Sequence, residues 1–441
     1  MASKDVQRQA VVIIHGIGEQ RPMDTLRGFV KALSGFGPED SKRIVWTKPD
    51  TISAGFEHRM LTLGGSRSRP QTDVYELYWA HLADPTQEPT FPAWFIGLFG
   101  RDTRLLPDRF RRIKHAGFAV FAVVIALALL VAWVFPVGTI YGKLSAMPIV
   151  ALVVGGVGFK LSSLYRGTIS DVSRYFDPHP KNVKSRNEVR ALGVEFLDQL
   201  HQSHRRYDRI VVCGHSMGSA IGYDILQHLW FRMHETHKRR NKPRGNAKKA
   251  LYQAIKDNEM RAIPTLQSAV FEEQKTVGNP WRISDFITLG SPLAHADLIL
   301  AQSKEDFDDR ISAGELSACP PRLEHNSSRL GFLRKYSIQG GSFRSIELLN
   351  HRSAFAATRW TNIYFPVRKF VLGDPIGGPV APVFGSGISD VAVDLPELGS
   401  GFRHLDYWRE DTHDQKNTDQ EMARPLTALQ NALALEWVKD A

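Results

Sequence analysis

Short apolar runs alternate along this chain with longer stretches in which apolar residues recur at helical spacing. The runs predict strands, and the spacing predicts amphipathic helices. The predicted strands are 11–14, 73–78, 210–213, 283–289 and 360–365, and the predicted helices are 24–33, 187–201 and 427–438. Strands separated by helices predict a mostly parallel, doubly wound α/β sheet. The stretch 301–353 is poorly periodic and is predicted to be an irregular excursion or a lid.

A different pattern occupies part of the first half of the chain. Residues 117–135 are nineteen consecutive residues without a charge or a polar face. A helix of this length can cross about 30 Å of hydrocarbon. A second apolar stretch, 146–159, is weaker because Pro148 and three glycines interrupt it. The two stretches predict a pair of transmembrane helices, with a buried helical pair that caps the functional site as the alternative.

The position of these stretches between two predicted strands limits the topology. Strand 11–14 precedes them and strand 210–213 follows them. If both strands belong to one sheet, the chain must leave the sheet and return on the same side of a membrane. We therefore predict a two-segment transmembrane hairpin at 115–160 that interrupts a single α/β domain formed by 1–114 and 161–441.

Basic residues around the predicted hairpin indicate its orientation. Six precede the first stretch, three follow the second and one lies between: Arg101, Arg104, Arg109, Arg111, Arg112 and Lys114, then Lys160, Arg166 and Arg174, with Lys143 between. Because cytoplasmic loops carry the excess of Lys and Arg, both flanks are predicted to be cytoplasmic. The first ten residues are polar and lack the apolar core of a signal peptide. The sequence thus predicts a multi-pass membrane protein whose larger domain faces the cytoplasm.

Composition limits the class of protein. The chain of 441 residues is 43% hydrophobic and 23% charged, which is typical of folded proteins. Its two cysteines, Cys213 and Cys319, form neither a disulfide framework nor a zinc-binding spacing, which fits a reducing compartment. The net charge of +10 indicates an acidic partner, such as an anionic membrane or a nucleic acid.

The basic loop 236–249 concentrates part of this positive charge. Its basic side chains are Lys238, Arg239, Arg240, Lys242, Arg244, Lys248 and Lys249. A solvated surface loop fits this pattern, and so does contact with anionic lipid headgroups, worth about 1 kcal/mol per basic residue. A nucleic-acid partner is not expected, because neither interleaved aromatic residues nor a helix-turn-helix pattern accompanies the charges.

Residues 214–218 read Gly-His-Ser-Met-Gly and directly follow the predicted strand 210–213. A helix-like stretch begins at Ser219. A strand, a G-x-S-x-G pentapeptide and a helix together predict a nucleophile elbow, in which the serine lies in a strained turn. The glycines leave room for the strand and the helix, and the turn presents a hydroxyl at the carboxyl edge of the sheet. Ser216 is therefore the predicted nucleophile.

A serine hydroxyl attacks a carbonyl readily only when a histidine accepts its proton and a carboxylate orients that histidine. On an α/β sheet with such an elbow, the acid and then the histidine follow the serine in the chain. Asp374 is the favoured acid, because it follows a strand-like region in a turn rich in glycine and proline. Asp297 is the alternative acid, and Asp394 and Asp406 are weaker candidates.

His404 is the favoured base among the sixteen histidines of the chain. It lies thirty residues after Asp374 and before the last predicted helix, where the loop after a final strand is expected. His351 and His413 remain competitors for this role.

Backbone N–H groups are expected to stabilise the oxyanion of the reaction. One donor is predicted at Met217, directly after the nucleophile, and the other at Gly16 or Ile17 in the loop after the first strand. A dinucleotide-binding fingerprint is excluded at this loop, because Arg21 holds the position of its next glycine. A phosphate loop of the form GxxxxGK(S/T) does not occur either. Neither a cofactor nor a metal is predicted.

These motifs resemble the lipase-like branch of the α/β-hydrolase superfamily, and within it a little-characterised bacterial group of membrane-associated hydrolases. The resemblance rests on 12–18 (Val-Ile-Ile-His-Gly-Ile-Gly), 214–218, 288–292 (Thr-Leu-Gly-Ser-Pro), Gly373-Asp374 and His404. It implies an α/β-hydrolase fold and a serine hydrolase that acts on carboxylic esters, with the predicted hairpin in a bacterial inner membrane.

The sequence thus predicts a membrane-anchored serine hydrolase that cleaves lipid or acyl esters through an acyl-enzyme. Ser216 attacks the acyl carbonyl in this prediction, His404 transfers the proton and Asp374 orients His404. A thioesterase or an amidase would use the same three residues. A catalytically inactive, membrane-tethered scaffold of the same fold is the alternative from a different class.

Overall fold

The computed structural model describes residues 8–16, 21–35, 45–53, 58–65, 69–82, 115, 175, 180–236, 246–323, 329–337, 343–367, 373–395, 401–409 and 424–435. The strands within these ranges are β1 Arg8–Ile14, β2 Val45–Pro49, β3 Arg59–Leu63, β4 Gln71–Leu77, β5 Arg209–His215, β6 Ile283–Leu289, β7 Gly331–Ser337, β8 Phe343–Leu349, β9 Arg359–Tyr364 and β10 Ser389–Ala392. Eight of them form one sheet in the order β10-β9-β6-β5-β1-β4-β3-β2. Strands β10 to β4 of this order pair in parallel, whereas β3 and β2 pair antiparallel at one edge.

β1 and β5 form the centre of the sheet. Their register aligns Val11 with Val211 and Ile14 with Gly214, and almost every residue of both strands is buried. Continuous apolar strands of this kind are typical of parallel sheets that are covered on both faces. From this centre the sheet extends to β4 on one side and to β6 on the other. The carboxyl ends of β1 and β5 are therefore a topological switch point, where open α/β sheets bind ligands.

Helices cover both faces of the sheet. They are α1 Asp24–Gly35, α2 Pro180–Gln202, α3 Met217–Met233, α4 Ala247–Lys256, α5 Ile263–Val277, α6 Ala296–Ile299, α7 Lys304–Ala313, α8 Ala381–Phe384 and α9 Pro425–Leu433. Alternate strand residues face opposite sides of a sheet. Accordingly, Val12 belongs to the apolar cluster of α2 and α3, whereas Ile13 belongs to the cluster of α1 and α9.

The alternation of strands and helices that the sequence predicts is present in the structure. The five predicted strands overlap β1, β4, β5, β6 and β9, and the three predicted helices overlap α1, α2 and α9. The prediction missed the edge strands β2 and β10, and also β3, which lies between β2 and β4. β2 is exposed along most of its length, so apolar periodicity could not mark it. The stretch 301–353, expected to be irregular, contains α7 and the separate antiparallel hairpin of β7 and β8.

The structure corrects one part of the predicted fold class. Within the described ranges, no helix is both long enough and apolar enough to cross a membrane. The longest, α2, has 23 residues but carries charges such as Arg186, Glu188 and Arg190, which are costly in hydrocarbon. The fold class with a transmembrane hairpin is therefore wrong for the fold that the structure shows. Apart from His115, the predicted hairpin residues 115–160 lie outside the described residues.

The apolar layer beneath α3 gives a stability prediction. Phe286 of β6 is fully buried, and its ring centroid lies 5.2 Å from that of Trp360. We expect Phe286→Ala to lower the free energy of unfolding by about 3–5 kcal/mol, because it removes a buried ring and leaves a cavity. Phe231→Ala is the matched control, since Phe231 is 64% exposed. Its expected effect is within about 0.5 kcal/mol. Urea denaturation measures both, and equal losses would contradict this packing.

Candidate active site

Ser216 joins the end of β5 to the start of α3 in a strained turn. Its backbone has φ 51° and ψ −125°, a conformation that residues other than glycine rarely adopt. Its N–H donates to the carbonyl oxygen of Leu289 at 2.9 Å, which ties the turn to the end of β6. The hydroxyl Oγ is buried and has no hydrogen-bond partner within the described part of the chain. This is the geometry of a nucleophile elbow.

The glycines on either side of Ser216 are required for steric reasons. A Cβ on Gly214 would lie 2.5 Å from Cα of Ser219, and a Cβ on Gly218 would lie 2.1 Å from the carbonyl oxygen of Ile14. Both contacts are with backbone atoms, which cannot rotate away. The strand, the turn and the first turn of α3 therefore pack together only with glycine at both positions.

Asp374 and His404 form a buried acid–base pair. Oδ2 of Asp374 lies 3.0 Å from Nδ1 of His404 and accepts a second hydrogen bond from the Tyr407 hydroxyl at 2.7 Å. Oδ1 accepts from the backbone N–H groups of Ile376 and Gly377 at 2.9 and 3.0 Å. An ionised carboxylate only accepts, so we assign the ring proton of His404 to Nδ1, which leaves Nε2 as an acceptor when the ring is neutral.

A short backbone pairing brings the acid and the base together, although they lie far apart in the chain. Gly373 and Phe402 form an isolated parallel bridge. The N–H of Gly373 donates to the carbonyl oxygen of Gly401 at 2.8 Å, and the N–H of Arg403 donates to that of Gly373 at 2.8 Å. The residues directly after Gly373 and Arg403 are the acid and the base, so this bridge sets their separation.

The environment of Asp374 favours its charged form. Burial raises the pKa of this carboxyl, but the charge and hydrogen bond of His404, with the hydrogen bonds of Tyr407 and Gly377, outweigh burial and lower the pKa to about 2. Asp374 is therefore ionised at neutral pH. A buried carboxylate in this state holds the tautomer of a neighbouring histidine and stabilises its protonated form.

The end of β6 places this pair beside the elbow. A Cβ on Gly290, the residue after Leu289, would lie 2.6 Å from Oδ2 of Asp374 and 3.1 Å from Nδ1 of His404. Leu289 itself accepts the hydrogen bond of the Ser216 N–H. Nε2 of His404 is buried without a hydrogen-bond partner among the described residues, as is Oγ of Ser216. The structure thus brings Ser216, Asp374 and His404 to one edge of the sheet.

The loop after β1 packs directly against the elbow. A Cβ on Gly16 would lie 2.9 Å from Cβ of Ser216. His15 fixes this loop, because its Nδ1 lies 2.7 Å from the carbonyl oxygen of Gly16 and its Nε2 accepts from the backbone N–H of Trp79 at 3.2 Å. Burial lowers the pKa of His15 to about 4, which keeps the ring neutral and able to accept. Ile17, the other predicted donor, lies outside the described residues.

Met217, the remaining predicted oxyanion donor, is the first residue of α3. The N–H groups of the first helical turn have no partner within the helix, and the helix dipole favours negative charge there. The backbone N–H of Met217 belongs to this first turn, so Met217 stays the predicted oxyanion donor.

The alternative acids lie elsewhere. Asp297 is on α6, where burial raises the pKa of its carboxyl and Lys304 and Asp308 are the nearby charges. A side-chain oxygen of Asp394 accepts from the backbone N–H of Leu395. Within the described ranges, the carboxylate at hydrogen-bond distance from the His404 ring is that of Asp374, and not that of Asp297 or Asp394.

The other weaker candidates have different surroundings. The Asp406 carboxylate pairs with Arg403 and Arg409, each at 3.2 Å. The His351 ring lies 6.5 Å from the ring of His234, on the side of the hairpin β7–β8. His413 lies outside the described residues.

The basic loop 236–249 is described only in part. Lys238, Arg239, Arg240, Lys242 and Arg244 lie outside the described residues. Lys248, on α4, is buried: its Nζ donates to the carbonyl oxygen of Glu347 at 2.8 Å and lies 3.5 Å from Oε1 of Glu273. This lysine therefore supports the packing of α4 instead of facing a membrane surface.

Three residues of the site were missed by sequence reasoning: His215, Trp79 and Tyr407. Their partners lie 33 to 189 positions away in the chain, as in the contacts Tyr407–Asp374 and His215–His404. The residues adjacent in sequence do not indicate contacts between positions this far apart in the chain. Only the position of His215 within the pentapeptide could have drawn attention to it.

The described ranges contain no candidate metal centre. Among those residues, no group of three or more His, Cys, Asp or Glu side chains is arranged to hold a metal ion.

Comparison of the chain with models of protein families, with curated proteins and with solved structures finds no match. The likeness to the lipase-like α/β-hydrolases therefore stays a prediction that rests on the motifs.

The pKa of Asp374 predicts a pH dependence of stability. A carboxyl whose pKa falls on folding, here from 3.8 to about 2, stabilises the fold above pH 4, and this contribution is lost as the pH falls toward 2. The advantage of the wild type over Asp374→Asn in free energy of unfolding should therefore shrink across that interval. Urea denaturation at stepped pH measures it. An advantage that stays constant would contradict the assigned ionisation of Asp374.

Proposed function

We propose that this protein is a serine hydrolase that cleaves carboxylic esters through an acyl-enzyme. The observation that carries the proposal is the strained Ser216 turn at the switch point of the sheet, beside the buried Asp374–His404 pair. A serine nucleophile, a histidine base and an ionised carboxylate are the parts that acyl transfer requires.

In the first half of the reaction, Oγ of Ser216 attacks the ester carbonyl while Nε2 of His404 accepts the hydroxyl proton. The negative charge that forms on the carbonyl oxygen is stabilised by the N–H of Met217 and by the loop at Gly16. Collapse of this tetrahedral intermediate breaks the bond to the alcohol. His404 donates its proton to the departing alcohol, and the acyl group remains on Ser216.

In the second half, water takes the place of the alcohol. His404 removes a proton from the water, whose oxygen attacks the acyl carbonyl. The second tetrahedral intermediate collapses to the free acid, and Oγ of Ser216 regains its proton from His404. Asp374 stays ionised throughout, because its four hydrogen bonds favour the charged form.

The surface beside His404 favours esters with an apolar part. Phe402 and Leu405 flank His404 in the chain and are 40% and 72% exposed. Exposed apolar side chains at the rim of a site bind apolar groups, since contact removes both surfaces from water. We therefore place acyl esters with hydrocarbon chains first among the substrates.

The inactive scaffold is the weaker alternative on energetic grounds. A serine at positive φ costs of order 1–3 kcal/mol, and burying an ionised carboxylate is also costly unless it is fully hydrogen-bonded. The Ser216 turn has the first cost and the buried Asp374 carboxylate has the second, and both lie at one edge of the sheet. A scaffold has no use for either, whereas a hydrolase needs both.

Steady-state hydrolysis of a p-nitrophenyl ester tests the proposal. We expect Ser216→Ala to lower kcat at least about 10³-fold, because the nucleophile is lost. Asp374→Asn should lower kcat by about 10³ to 10⁴-fold, because the amide no longer holds the tautomer of His404.

Asp297→Asn is the matched control for the acid, since it removes a carboxylate that follows Ser216 in the chain but contacts different residues. Its expected kcat is within a few fold of the wild type. Equal losses in the two aspartate variants would contradict the assigned acid. Wild-type protein without ester hydrolysis above the Ser216→Ala level would remove the proposed function.

A further inference from the structure

His215, the residue before the nucleophile, contacts the backbone of the predicted base. Its Nε2 lies 2.9 Å from the carbonyl oxygen of His404. A carbonyl oxygen only accepts, so Nε2 of His215 carries a proton and donates it. The side chain is buried, at 6% exposure. This hydrogen bond joins the last residue of β5 directly to the loop that carries the base.

The ring of His215 is enclosed by the same loop. Its centroid lies 5.0 Å from that of His404 and 4.8 Å from that of Trp408, whose ring stands nearly perpendicular to it at 79°. On the side of Nδ1, a Cβ on Gly16 would lie 3.3 Å away. The imidazole of the residue that precedes Ser216 therefore contacts the loop of His404 and lies next to Gly16 in the loop after β1.

His215 adds no charge to the site. Burial, followed by the neighbouring charge of His404, lowers the pKa of His215 to about 3. The ring is therefore neutral in the pH range in which a histidine base works, and it does not compete for the proton of Ser216.

The bridge between Gly373 and Phe402 fixes His404 relative to Asp374, but it does not involve the elbow. The end of β6 places the pair beside the elbow through Leu289 and Gly290. The hydrogen bond from His215 adds a direct connection from the strand of the nucleophile to the backbone of His404. An error of about 1 Å in the placement of a catalytic group can cost about 100-fold in rate.

We infer that His215 is a positioning residue, which sets the distance between Oγ of Ser216 and Nε2 of His404 by holding the His404 backbone against the elbow. This inference rests on the proposed ester hydrolysis. It assigns to His215 a role in kcat and none in substrate contact.

Two substitutions of His215 distinguish the effect of its hydrogen bond on kcat from the effect of its ring volume. His215→Phe keeps a planar ring without a donor, and we expect it to lower kcat by about 30- to 100-fold on a p-nitrophenyl ester with KM within about threefold. His215→Gln carries an amide N–H₂ near the position of Nε2, and we expect it to regain most of this loss. His351→Phe is the control, since this histidine lies beside His234 and not at the elbow.

Thermal melting tests whether each variant is folded. If His215→Phe does not fold, His215→Asn replaces it, because the shorter side chain does not reach the carbonyl oxygen of His404. An active wild type with His215→Phe within threefold in kcat, or with His215→Gln no better than His215→Phe, would overturn the positioning role and leave the proposed function intact. A wild type without ester hydrolysis would remove the proposed function and this inference with it.

Discussion

The turn at Ser216 is the constraint on which the rest of the site depends. A non-glycine residue at positive φ persists only where its surroundings hold it. Here the hydrogen bond to Leu289 and the contacts of Gly214 and Gly218 with neighbouring backbone hold it. Those contacts exist because β1, β5 and β6 are adjacent parallel strands that end at the same edge. The packing of these three strands thus holds the strained backbone of Ser216 in place.

The acid–base pair shows how a buried charge is retained beside such a turn. Four hydrogen bonds satisfy the Asp374 carboxylate, and one of them orients His404. Removal of a partner from a buried charge leaves a desolvated group and costs more than the bond itself contributed. Tyr407 therefore matters to the ionisation of Asp374, although in our proposal it does not touch the substrate.

The parts of the fold that the sequence predicts correctly are those with local signals. The apolar runs mark β1 and β5, and the pentapeptide marks the turn between β5 and α3. Chain order led to Asp374 and His404, which the structure places at hydrogen-bond distance, but their catalytic roles stay predictions. The edge strand β2 is too exposed to show a pattern, and the contacts of His215 join distant segments. The prediction of a transmembrane hairpin is wrong for the described fold, because a count of consecutive apolar residues does not establish a membrane-spanning helix.

The proposed reaction requires Ser216 to be an activated nucleophile. Its most direct test is covalent modification of the folded protein by a fluorophosphonate, with the adduct located by mass spectrometry of proteolytic peptides. We expect one adduct per chain, on Ser216, and none when the protein is heat-denatured before labelling. If Ser216 stays unmodified while a known serine hydrolase in the same tube is labelled, Ser216 is not an activated nucleophile.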